Sequence, residues 1–311
     1  MKTCSELRQT DFTRFGIYLL MPLFSLFIGC GGEEEKLVEK KEVVDTLPAK
    51  VKPDISAEVI NNIIMSIPSP LEMATMLKDN GQGYDASLLN PSTNLIKYNT
   101  NYKIAFNIGV YSADLGYINI YEKTFSAMNY LQNIKDLGDD IHIGQFFDFE
   151  TLKRLATNTK NYDSLIFIST DNFNKMDAHL RTQNRNELSV LMISGAWLEG
   201  VNIACQVAKQ KPNKELTERL GFEKINLDNI LVILNAYKND KYFAQIVTEF
   251  EKLKEIYSKI DISYQYVEPE TKEVNGQLVI VNKSKSTVNI TEAQLKEIIE
   301  EIARVRNIMI N

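Results

Sequence analysis

From residue 55 to the C-terminus, apolar residues return every three to four positions, the spacing that lines them along one side of an α-helix. The pattern predicts short helices over 55–64 and 71–78, separated by "IPSP" and followed by Gly81 and Gly83. Two long helices, 93–112 and 114–137, come next and are nearly continuous. Further helices are expected over 146–157, 162–182, 187–209, 227–235 and 240–257. The last of these carries Phe243, Ile246, Val247, Phe250, Leu253 and Tyr257 on one stripe. Short connections rich in Asn, Gly and Pro imply antiparallel helical neighbours. The period changes once, in "NGQLVIVNKSKSTVNI", where β-branched residues predict a hairpin of strands 277–281 and 287–290. Thr291 and Gln294 then form a capping box for a final helix whose stripe is Leu295, Ile298, Ile299, Ile302, Val305 and Met309. The expected fold is mainly α: a multi-helix bundle or array over 55–311, with one small C-terminal hairpin near 277–290. No 34-residue repeat supports a tetratricopeptide solenoid.

The N-terminus follows a different pattern. Phe15 to Gly29 is an uncharged, mostly apolar run of fifteen residues. As a helix it would reach roughly 22 Å, short of the ~30 Å hydrocarbon core, and Pro22 weakens it further. Lys2, Arg8 and Arg14 precede it, so residues 1–29 read as a secretory signal rather than a membrane span. The run ends at a cysteine. Leu26-Phe27-Ile28-Gly29-Cys30 resembles the lipobox of bacterial lipoproteins, with Phe27 where an aliphatic residue is usual. That resemblance implies a diacylglyceryl group on the Cys30 sulfur, cleavage before Cys30, and anchorage to a bilayer in the cell envelope. An ordinary signal peptide with an incidental cysteine is the plainer alternative.

Residues 30–54 alternate charge, contain Pro48 and Pro53, and read as a flexible tether that holds the body roughly 25–30 Å from the membrane. Glu33-Glu34-Glu35 is similar to the export signal of surface lipoproteins in Bacteroidota, though a solvated charge run has the same composition. Asp45-Thr46-Leu47 resembles the O-glycosylation site of secreted proteins in that phylum, which makes Thr46 the acceptor. Farther on, "YKIAFNIGVYSADLGY" and "GQFFDFETLKRLATN" resemble helical lipoproteins of Bacteroidota, a likeness that extends from about Ser66 to Lys209 and implies address and fold, with no activity and no site residues. The implied location is the outer membrane, on its periplasmic or surface face.

Charge and cysteine content narrow the function classes. The chain carries a formal net charge of −6, and the leader's three basic and two acidic residues make the remainder one unit more negative. An acidic chain without a basic face argues against nucleic acid and against electrostatic docking to anionic lipid. With Cys4 in the leader and Cys30 lipidated, Cys205 stands alone and is expected to be a small buried hydrophobe.

The chemistry available is sparse. The two histidines, His142 and His179, have no metal-ligand spacing, and the "DDIH" cluster at residues 139–142 reads as a polar loop. Phosphate-binding, dinucleotide-binding and nucleophile-elbow motifs are absent, so no metal and no cofactor is implied. What remains is small residues inside helices: Gly109, Ser112, Ala113 and Gly116 in one, and Gly195, Ala196, Gly200 and Ala204 in another. Each helix-interior glycine costs about 0.5–1 kcal/mol relative to alanine, which close helix–helix approach would offset. On that expectation Gly109, Gly116 and Gly200 mark tight contacts. The sharper alternative is a ligand pocket lined by Tyr111, Tyr117, Tyr121 and Trp197, with Asp114 or Glu199 as polar contact. The functional expectation is a non-catalytic envelope lipoprotein that binds or scaffolds an envelope partner. Its rivals are a small-molecule-binding lipoprotein for uptake and a carboxylate-dependent hydrolase with paired acids about 5–9 Å apart in a cleft.

Overall fold

Polar residues start most of the helices where the periodic stripes begin. The computed structural model describes residues 55–147, 162–274, 277–281 and 283–311. The leader, Cys30, the tether with Thr46, and residues 148–157 of the helix expected at 146–157 lie outside the described residues. Ser56 caps α1 (Ala57–Ser66) and Ser69 caps α2 (Pro70–Asp79), which also has proline in its first turn. Thr100 receives Lys103 N–H at 3.2 Å and starts α3 (Asn101–Ile120). After α4 (Thr124–Asp140) come α5 (Tyr162–Thr182), α6 (Asn186–Gln210), α7 (Lys214–Asn235) and α8 (Lys241–Ser258). Asn213 and Asp240 cap α7 and α8 through their side-chain oxygens. The capping box of Thr291 and Gln294 is formed, with both reciprocal bonds, at the start of α9 (Glu292–Met309).

Three helix boundaries differ from the expected ones for physical reasons. The break placed at residue 113 lies inside α3, and the chain turns instead at Glu122, a non-glycine residue in the left-handed region at φ 56°. Residues Ser92–Lys97 form a separate 3₁₀ turn rather than the start of the long helix. Helix α7 begins thirteen residues before the expected 227, because Leu216 and Leu220 continue its buried stripe across an otherwise charged stretch.

The molecule is built around α3 and α6, which pack on each other along much of their length. Helix α2 lies across both, α4 packs on α3, and α5, α7 and α9 pack on α6, with α8 against α7 and α9. Among the described residues α6 is long and apolar enough to cross a membrane, yet 94% of its most apolar window is buried inside the body. That is the position of a core helix. The fold is thus mainly α, with a small antiparallel strand pairing near the C-terminus.

The strands pair differently from the expected hairpin. Strand β3 (Gln277–Val281) turns back on β2 (Glu270–Val274), and β4 (Lys285–Asn289) pairs with β1 (Asp261–Gln265). The result is one antiparallel arm in two ladders whose registers differ by one residue. Ser284 Oγ bridges the junction, accepting from Val267 N–H at 3.0 Å and donating to Val267 C=O. Val288 anchors the base of the arm on α7, whereas Leu278 and Ile280 near the tip are 78% and 73% exposed. Strands β1 and β2 escaped the pattern because most of their described side chains face solvent and no buried face imposes alternation.

Candidate functional site

Helices α3 and α6 meet where neither has a side chain. A Cβ built on Gly109 would stand 1.9 Å from Met192 C=O, and one on Gly195 would stand 2.1 Å from Phe106 C=O. Backbone therefore rests directly on backbone at these two glycines. The other stripe glycines are looser. Gly116 faces the Leu71 side chain at 3.3 Å and Gly200 faces Pro70 Cβ at 3.5 Å, so both receive the start of α2 instead of a neighbouring backbone. The tight contact expected at Gly200 is thus an ordinary one, whereas the one expected at Gly109 is present and Gly195 adds a second.

On one side of this crossing lies a buried polar network. Glu199 and Asp114 are both fully buried. Arg306 of α9 donates Nε and Nη2 to the two Glu199 oxygens at 2.8 and 2.7 Å, a bidentate pair. Asp114 Oδ2 accepts Asn90 N–H at 3.1 Å, while its Oδ1 meets no donor. Burial, and then the Glu199 charge, push the Asp114 carboxyl well above the usual carboxylate range. A protonated Asp114 hydrogen-bonded to Glu199 accounts for both facts, with one net negative charge matched by Arg306. The acids expected as ligand contacts are therefore spent on each other and on Arg306. Both acids are fully buried, whereas a glycoside-type mechanism requires a pair open to a cleft.

The aromatic residues expected to line a pocket also have internal partners. Tyr111 donates to Pro91 C=O at 2.9 Å, and Tyr117 accepts Asp85 N–H at 3.0 Å. Tyr121 donates to Gln82 C=O, and Tyr130 to Asn90 C=O. Together these hydroxyls staple the connection between α2 and α3 to the helices beneath it. Trp197 donates Nε1–H to Glu223 Oε2 at 2.8 Å and packs its ring against Phe250. Cys205 is fully buried, and burial raises its thiol pKa, an inert setting. In the "DDIH" cluster, Asp139 is held by Lys135 at 2.7 Å and His142 is exposed in a left-handed turn. Among the described residues no group of three or more His, Cys, Asp or Glu side chains could hold a metal ion.

The open space lies around the other side of α3. A groove of about 450 Å³ has its floor at Gly109, Ser112, Gly116 and Asn119 of α3 and at Met192 and Ala196 of α6. The α1–α2 junction forms one wall through Ile67, Pro68 and Leu71. Leu131 and Ile134 of α4 form a second wall, and α5 adds Ile166 and Phe173 with the polar Ser169, Thr170, Asn172 and Asn174. Tyr111, Asp114, Tyr117, Trp197 and Glu199 are not among its lining residues. The volume falls in the range of small-molecule sites, roughly 300–1,000 Å³. Small residues make the groove possible, since a larger side chain at 109, 112 or 116 would project into it or into its walls.

Three serines of the groove have local hydrogen-bond partners. Ser112 donates to Ile108 C=O, Ser69 accepts from Leu71 N–H, and Ser66 donates to Ile63 C=O. Asn119 is different: it is 3% exposed, and its Oδ1 is buried with no donor. The sequence reading missed Asn119, although it continues the spacing of Gly109, Ser112 and Gly116 by one more turn. Compared with protein-family models, with curated proteins and with solved structures, the chain matches none.

Proposed function

We propose that this protein is a non-catalytic, lipid-anchored binding module of the bacterial cell envelope, whose helical body holds an apolar small molecule in the groove between α3, α4, α5 and the α1–α2 junction. The observation that carries the reading is the groove itself: about 450 Å³ of space, walled largely by aliphatic and aromatic side chains with a polar stretch of α5, and floored by small residues. The anchor rests on the resemblance of residues 26–30 to a lipobox, and the acidic tether would hold the body clear of the membrane surface. In the uncharged fluorophore N-phenyl-1-naphthylamine the reading has a direct probe. The mature chain from residue 30, made with Cys30→Ala to keep it free of lipid, should enhance the dye's emission in a saturable way. Ser112→Phe places a ring across the groove from an exposed helix position and should abolish that enhancement without lowering the unfolding temperature. Equal dye binding by both proteins contradicts the reading.

A second reading, docking of an envelope protein, draws on the arm, where Leu278 and Ile280 stand exposed far from the helical core. Replacing residues 267–283 by a short turn and comparing captured partners from native membranes tests it. Loss of a specific partner supports the reading, and an unchanged set removes it.

A further inference from the structure

Resting on the groove reading above, we infer that the ligand is an uncharged, elongated amphiphile whose hydroxyl or amide hydrogen is received by Asn119 Oδ1. The shape argument comes from α3: Gly109 to Asn119 is ten residues of one helix face, a floor of about 15 Å. Such a floor suits a chain rather than a compact ring system. Asn119 supplies the polar end, because its buried oxygen lacks a donor and an unmet buried acceptor is unfavourable until something donates to it.

Charge selects the head group. Glu72 is the one lining residue with a charge among the described residues, and it sits exposed at the rim, in the first turn of α2. Among the described residues no Lys, Arg or His lines the groove. A carboxylate or phosphate head would therefore lose its water without gaining a cation from these residues, and would meet Glu72 on the way in. A head group with hydroxyls and no charge loses little and satisfies Asn119. Monoacylglycerols and long-chain alcohols have this chemistry.

Displacement of N-phenyl-1-naphthylamine from the mature chain, at amphiphile concentrations below micelle formation, distinguishes the classes. Monolauroylglycerol, laurate, dodecyltrimethylammonium and methyl laurate share one chain length and differ in charge or in having a donor. Monolauroylglycerol should displace the dye at about tenfold lower concentration than methyl laurate, the factor that one satisfied hydrogen bond carries. Laurate and the ammonium compound should be weaker still. Asn119→Leu should erase the preference for monolauroylglycerol over methyl laurate while dye binding persists, and Asn119→Ala serves the same purpose if leucine unsettles the fold. Laurate or the ammonium compound displacing as well as monolauroylglycerol overturns the inference, as does a preference that survives in both variants. Dye binding that no amphiphile reverses also overturns it and leaves the groove reading standing. Failure of the dye to bind at all removes both.

Discussion

Glu199 and Arg306, 107 residues apart in sequence, are joined by two parallel hydrogen bonds in the interior. This pair ties the last helix to the central one, and burial beside Glu199 raises the Asp114 carboxyl so that a retained proton would join it to the pair. Removing the charge from one partner leaves the other buried and unmatched. Glu199→Gln should therefore cost about 3–5 kcal/mol in chemical denaturation. Asp114→Asn should change stability by less than about 1 kcal/mol at neutral pH, because an amide can donate to Glu199 and accept from Asn90 as the acid does. A large loss from Asp114→Asn would show that the acid is ionised.

The same proton makes stability depend on pH. Folded Asp114 titrates above its unfolded value of about 3.9, so between the two the folded state binds the extra proton. Its contribution is full below about pH 4 and is lost as pH rises through the folded value. Glu187, raised by burial, slopes in the same direction. The difference between wild type and Asp114→Asn should isolate the Asp114 share: wild type should lose ground to the variant as pH rises above about 4. Parallel pH profiles would contradict the shared-proton arrangement.

The helix crossing gives a contrast between glycines. Gly109→Ala and Gly195→Ala each drive a methyl group into a backbone carbonyl of the facing helix and should cost about 1–3 kcal/mol or more. Gly200→Ala meets Pro70 Cβ at an ordinary distance and should be neutral or stabilising by up to about 1 kcal/mol through helix propensity. Equal effects at Gly109 and Gly200, measured by urea unfolding, would contradict the direct backbone contact.

Cys205 is the free cysteine among the described residues and is shut inside α6. A thiol reagent should leave it unmodified in the folded chain from residue 30 carrying Cys30→Ala and react with it at the rate of unfolding. Dithiothreitol should leave the unfolding temperature unchanged. Rapid native labelling would show an opening of the core at α6.

Local patterns disclosed most helices and little of the site. The stripe through Phe243, Phe250 and Tyr257 and the box of Thr291 and Gln294 involve residues within a few turns, so spacing reveals them. Glu122 carries no turn signature; its left-handed backbone follows from α3 and α4 packing back on each other. The small residues Gly109, Ser112, Gly116 and Ala196 were visible in the chain, but their surroundings were not. Tyr111 and Trp197 look like pocket walls in one dimension, yet each finds an internal acceptor from a remote segment. The groove arises where six helices converge, and no linear pattern encodes that convergence.

For the anchor, Cys30→Ala should abolish metabolic palmitate labelling and release the mature body from the membrane fraction. The motive is the short apolar run ending in Ile28-Gly29-Cys30. Unchanged labelling of the variant would remove lipidation at Cys30.

Methyl-resolved NMR of the mature chain, titrated with monolauroylglycerol, tests the central claim most directly, because it asks which face of α3 the ligand meets. Ile108, Leu115, Ile134 and Ile193 line the groove, whereas Leu220 and Ile203 lie elsewhere in the core. The account predicts progressive shifts of the first set, with the second set and the Trp197 indole unmoved. Shifts centred on Trp197 and Tyr111, or no shifts at saturating ligand, would contradict it.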